Sequence, residues 1–208
     1  MDDPRDIRRS FILSPQMSQG SHASSSMSWA VVSSDRASPN TQIFFYPTPP
    51  PSHIMANRDI RDVLASMGIT LDDIVFAALE LYFPHPGVET REKAEAKFRR
   101  EMDLALSDPN LALLIYAGVL LEEEGHRAAL PNLKASDYEN DLTCLIADEV
   151  LGLSIAQYIA GYKGLFDYIR YDKAKPGILG TLGPFMDDVI AGLIGGVSSN
   201  MYTRAVLD

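Results

Sequence analysis

From Asn57 onward the apolar residues recur three and four positions apart, and no stretch alternates β-branched with polar side chains. A chain patterned this way must bury its apolar surface as helices packed on helices, since a period of about 3.6 residues gives each helix one apolar stripe. The expected fold is all-α, a single compact multi-helical domain of about six helices over residues 57–208. Local signals place the elements. Thr70-Leu71-Asp72-Asp73 resembles a capping box, followed by the stripe Leu71, Ile74, Val75, Ala78, Leu79 and Tyr82, with Pro84 and Pro86 ending the helix. Thr90 caps a charged helix that carries Ala94, Phe98 and Met102 on one face. Asp108-Pro109 joins an N-cap to a proline at the first helical position, and Gly125 is the expected stop. Ser136 with Glu139 reads as a second capping box, opening a long helix to about Gly161. A shorter segment around Leu165–Tyr171, a glycine-rich loop and a last helix from Pro184 complete the pattern.

Residues 1–56 differ in kind. They are rich in serine, end in a cluster of Pro47, Pro49, Pro50 and Pro51, and show no sustained helical period. The expectation is a disordered tail with one sticky patch, Ile43-Phe44-Phe45-Tyr46, and Met55 is a candidate true start. This segment holds four acids and four arginines, so the whole net charge of −10 resides beyond it. An acidic surface repels phosphodiester backbones, which argues against nucleic-acid binding. The single cysteine, Cys144, forbids an intramolecular disulfide and a cysteine zinc cluster, as suits a reducing cytoplasm. The longest apolar run, Leu111–Leu121, is about half of the roughly 20 residues a membrane-spanning helix needs, and no secretory signal is evident. The protein reads as soluble and cytoplasmic.

Three clusters carry chemistry. Asp148-Glu149 and Asp187-Asp188 put adjacent acids within otherwise apolar helices, where an ionised carboxylate costs several kcal/mol unless a cation or strong hydrogen bonds compensate. Asp148 and Asp188 each have a glycine one turn later, Gly152 and Gly192, so two helices can cross closely and bring the carboxylates together. Oxygen donors of this kind suit Mg²⁺, with Mn²⁺ as the alternative. The plain alternative is that each pair is a solvated stripe or a cap for a neighbouring helix. Between the pairs, Arg170-Tyr171-Asp172-Lys173-Ala174-Lys175-Pro176-Gly177 offers what a phosphate needs. Lys173 and Lys175 are point charges for phosphoryl oxygens, Arg170 adds a bidentate fork, and Asp172 faces the metal. Gly177, Gly180 and Gly183 leave backbone amides free to approach an anion ahead of the final helix.

Taken together, the clusters resemble the phosphatidylglycerophosphatase A family, most closely its soluble archaeal branch of α-ribazole phosphatases. The carrying residues are Asp148-Glu149-Val150-Leu151-Gly152, then Asp172-Lys173-Ala174-Lys175-Pro176-Gly177-Ile178-Leu179, then Phe185-Met186-Asp187-Asp188-Val189-Ile190-Ala191-Gly192. Weaker similarity reaches back through Gly118–Glu122 to Gly68-Ile69-Thr70-Leu71, so it spans roughly residues 57–205. The resemblance implies an all-helical, Mg²⁺-dependent phosphomonoesterase with metal ligands among Asp148, Glu149, Asp172, Asp187 and Asp188. The membrane-bound members carry an upstream Gly-Thr motif and spanning segments that this chain lacks. That departure favours α-ribazole 5′-phosphate of cobalamin biosynthesis over phosphatidylglycerophosphate.

On this reading Asp148, Asp188 and Lys175 are the catalytic set, Arg170, Lys173, Lys175 and Gly177 bind substrate, and Glu122 is a further candidate ligand. The partner is a small-molecule phosphate ester, and a homo-oligomer is left open. Direct hydrolysis fits better than a covalent route, because Cys144 has no downstream arginine loop and Gly125-His126-Arg127 reverses the Arg-His-Gly order. A di-metal oxygenase bundle would need a second Glu-x-x-His beside Glu123-x-x-His126, and there is none. A non-catalytic helical module whose acids bind a structural cation or a partner is the other class of reading. Tyr158, Tyr162, Tyr168 and Tyr171 are expected in the core and at its rim.

Overall fold

The last helix organises the molecule, which is described from a computed structural model covering residues 58–140 and 145–207. Among these residues the elements are α1 (Ile60–Ser66), α2 (Leu71–Glu80), α3 (Arg91–Leu106), α4 (Pro109–His126), α5 (Ala135–Glu139), α6 (Ala147–Ala160), α7 (Tyr162–Ala174), a 3-10 turn (Gly177–Thr181) and α8 (Pro184–Ala205). The N-terminal segment, with its expected tail, Ile43–Tyr46 patch and Met55, lies outside the described residues, as does Cys144. No strand occurs among the described residues; His85 and Val88 form an isolated bridge.

Helix α8 is buried all round: every residue from Phe185 to Ser199 is buried, Asp187, Asp188, Ser198 and Ser199 included, as expected of a helix enclosed by others. Helices α6 and α7 supply most of its cover, with α3 and α4 closing the remaining sides. Side-chain pairs give the directions. Asp188 and Gly196 of α8 lie against Gly152 and Ile159 of α6, so these two helices run parallel. Asp187 meets Lys175 and Thr203 meets Lys163, so α7 runs antiparallel to α8. The core centres on Ile190, Leu193, Ile194 and Val197.

The local capping signals are realised where they are short-range. Thr70 and Asp73 form a reciprocal capping box, Thr90 accepts from Lys93 N, and Asp108 caps α4 with Pro109 following. Helix α8 starts at Pro184. Two expectations need correction. Gly125 does not stop α4, which runs to His126; the chain turns at Ala128, with φ of 54°. Gly125 is required for space, since a Cβ there would lie 2.4 Å from the Tyr138 ring. Ser136 does not open a long helix. Helix α5 is a five-residue turn closed by Asn140, whose side-chain amide donates to Ser136 O at 2.6 Å, and a separate helix begins at Ala147. That split, together with α1, gives eight α-helices among the described residues in place of about six. It also moves Asp148 and Glu149 from a helix interior into the first turn of α6.

No single described helix is long and apolar enough to cross a membrane. The apolar run of α4 is a packing surface, with Leu111, Ile115, Gly118 and Val119 buried in the domain.

Candidate metal centre

Helices α6 and α8 touch backbone to backbone. A Cβ on Gly192 would lie 2.3 Å from Gly152 O, and one on Gly152 would lie 2.5 Å from Asp188 O. Only glycine at both positions allows this approach, and it brings the first turns of the two helices together. Acids near a helix N-terminus also face the positive end of its dipole. Asp148, Glu149 and Asp188 each place a carboxylate oxygen there, and the three oxygens lie within 4.8 Å of one another.

The electrostatics of the cluster are unbalanced. Asp148 is 2% exposed and Asp188 4%. Burial, with the adjacent Glu149 and then Asp188, pushes the Asp148 carboxyl up to about 8. Burial, together with Asp187, Asp172 and Glu149, pushes Asp188 up to about 7, against the opposing effect of a hydrogen bond from Tyr168. Glu149 Oε2 is shut away from solvent and has no hydrogen-bond partner among the described residues. Glu149 N donates to Asp148 Oδ1 at 2.9 Å, which fixes one acid relative to the next. Three crowded acids with an orphaned oxygen fit a divalent cation held by oxygen donors.

The other expected site residues are distributed around this group. Asp172 is half-buried and close enough to raise the carboxyl of Asp188, but it stands outside the three-carboxylate group. Asp187, in the first turn of α8, is ion-paired with Lys175. Lys175 takes the left-handed conformation at the end of α7, with φ of 41°, which turns its side chain back toward that acid. Lys173 is exposed in the last turn of α7. Gly177, with φ of 56°, lets the 3-10 turn sit against α2, where a Cβ would meet Ala77 Cβ at 3.1 Å.

Two candidates are committed elsewhere. Arg170 donates to Asp167 Oδ1 at 2.7 Å and to Leu81 O at 3.0 Å, and lies over the Phe83 ring, so its guanidinium closes the end of α2 rather than reaching the acids. Glu122 crosses from α4 to the start of α8. Its Oε2 accepts from Phe185 N at 3.0 Å and Met186 N at 3.2 Å, and its Oε1 accepts from Tyr138 Oη at 2.8 Å. It is a helix cap supplied from another helix, which α8 needs because Gly183 offers no side chain.

Tyr168, expected in the core or at its rim, is buried as a core residue, and its hydroxyl donates to Asp188 Oδ1 at 2.7 Å, a role the sequence did not reveal. The available signal was Gly152. The space it leaves is filled by the Tyr168 ring, 2.8 Å from where a Cβ would stand.

No family model matches the chain. An archaeal protein, the uncharacterized protein MJ1330 of Methanocaldococcus jannaschii, is 38% identical over 130 residues, covering 61% of this chain and 98% of its own length. The chain belongs to the family of MJ1330. The fold of this MJ1330-family chain is shared with solved bacterial structures. The low temperature requirement C protein from Listeria monocytogenes superposes with a TM-score of 0.61 at 25% identity, covering 72% of this chain and 96% of the other. Protein ypjQ from Bacillus subtilis gives 0.59 at 23% identity, covering 72% and 94%. A protein of unknown function from Bacillus stearothermophilus gives 0.56 at 25%, covering 70% and 96%.

Proposed function

We propose that this chain is a cytoplasmic, divalent-cation-dependent phosphomonoesterase. The observation that supports the reading best is the group of buried Asp148 and Asp188 with half-buried Glu149, whose Oε2 lacks any partner among the described residues. Such a group is stable as anions only if a cation compensates it, and an all-oxygen donor set suits Mg²⁺ or Mn²⁺. These three acids would hold the ion, with Asp172 beside them. When bound there, Mg²⁺ supplies neutralisation of phosphoryl oxygens and a polarised water. Lys175 and Lys173 supply the remaining positive charge. Asp187 holds the Lys175 ammonium at the start of α8, from where it stabilises charge on the transferred group, and exposed Lys173 attracts the ester from solvent.

The order of the three clusters, similar to that of the phosphatidylglycerophosphatase A family, supports a phosphate-ester substrate. A soluble nucleotide-like ester, α-ribazole 5′-phosphate, is preferred over phosphatidylglycerophosphate because no described helix is fit to span a membrane alone. The test is a phosphatase screen of purified protein that includes both esters, with Mg²⁺ and with chelator. Turnover that needs Mg²⁺ and stops with chelator supports the proposal. Stabilisation by Mg²⁺ without turnover of any ester would instead identify a non-catalytic cation-binding module.

A further inference from the structure

We infer that Tyr168 is a positioning residue for the cation, holding Asp188 so that its carboxylate meets the ion through one oxygen. The inference rests on the metal reading above and goes beyond it by assigning a residue that shapes the site without filling it. Tyr168 is 3% exposed on α7, and its Oη donates to Asp188 Oδ1 at 2.7 Å. The ring packs against α6, where carbon added at Gly152 would meet its Cε2 at 2.8 Å, and the Tyr168 backbone packs against α8, where carbon added at Gly195 would meet its N at 2.5 Å.

A carboxylate free to rotate about its last bond can offer a cation both oxygens, one or neither. With Oδ1 engaged by the phenol, Oδ2 is the Asp188 oxygen left to offer a cation in the group it forms with Asp148 and Glu149. The chemistry of the donor matters as much as its position. A lysine or arginine here would orient Asp188 equally well, but its charge would compete with the cation. A phenol orients the acid and adds no charge. Hydrogen bonds of this outer kind are worth about 10–100-fold in metal affinity.

The experiment is calorimetric titration of Mn²⁺ into the full chain, wild type and Tyr168→Phe, with circular dichroism and melting in chelator recorded alongside. The expected result is binding weakened about 10–100-fold in the variant, with helix content preserved. Affinity within about twofold of wild type, for a variant that melts normally, overturns the inference. Should Tyr168→Phe fail to fold, wild-type protein labelled at tyrosine ¹³Cζ decides. The Tyr168 resonance is expected to move in step with Mg²⁺ saturation, and a resonance unmoved at saturation overturns the assignment. If the wild type takes up no Mn²⁺, the metal reading itself falls and this one with it. If the wild type binds and the variant binds equally, only the positioning role is lost.

Discussion

A buried carboxylate must find a counter-charge, collect hydrogen bonds or keep its proton, and the acids of this protein use all three. Glu122 collects hydrogen bonds, Asp187 has Lys175, and Asp148 and Asp188 are driven toward protonation. The contrast singles out the last two for chemistry. Asp188→Asn keeps an acceptor for Tyr168 and removes the charge. It should abolish Mg²⁺-dependent turnover while raising the melting temperature in chelator near pH 8 by a few degrees. Near-wild-type turnover would remove Asp188 from the ligand set. Lys175→Ala should raise KM for a phosphate ester by about tenfold or more and change metal affinity little, since Lys175 bears on the phosphoryl group. Equal loss of both would contradict that role. At this scale the sequence was informative about the acids, because a charged pair in an apolar stretch with a glycine one turn on is visible in one dimension. Tyr168 and Glu122 were not legible in their actual roles, because each acts on a group in another helix, 20 and 63 positions away.

Helices whose ends are set by their own neighbours were readable, and those set by distant contacts were not. Thr70, Thr90 and Asp108-Pro109 fix their helices through atoms within three residues, and α8 begins at its proline. Tyr138 of α5 is held instead by distant groups: it reaches Glu122 on α4, stacks on Phe185 of α8 and packs against Gly125. No local pattern carries that information. Two substitutions test this architecture. Gly152→Ala sets a methyl against Asp188 O and the Tyr168 ring, where backbone cannot yield as a flexible side chain would. It should cost at least about 2 kcal/mol in urea unfolding and abolish cation binding together. Glu122→Ala strips a cap from α8 and leaves Tyr138 Oη with His126 Nδ1, at 3.0 Å, as its remaining partner. A loss of about 2–3 kcal/mol is expected, and a loss below about 0.5 kcal/mol would mean that water replaces the carboxylate at no cost.

For the whole molecule, the raised carboxyls tie stability to pH and to the ion. Asp148 and Asp188 start from 3.8 and rise to about 8 and about 7 in the fold, so the folded chain binds more protons than the unfolded chain between those values. Stability then falls as pH rises, since the slope follows protons bound unfolded minus protons bound folded. The contribution is fully present below about pH 4 and lost on passing through the folded values. Acids shifted the other way, Asp73 and Glu89 among them, act in the acid range; Asp167, raised by burial, shifts in the same sense as the centre, whose own window runs from about pH 5 to 8. In chelator the melting temperature should fall across that window. A cation competes with the same protons, so its stabilisation should be near zero at about pH 5 and greatest at about pH 8. At Mg²⁺ about 100-fold above its Kd the gain is about 2.7 kcal/mol, or roughly 5–10 °C for a domain of this size. Scanning calorimetry with Mg²⁺ and with chelator at several pH values measures it. A Mg²⁺ shift that stays constant with pH, or is absent at the alkaline end, would mean that the ion does not bind where Asp148, Glu149 and Asp188 meet.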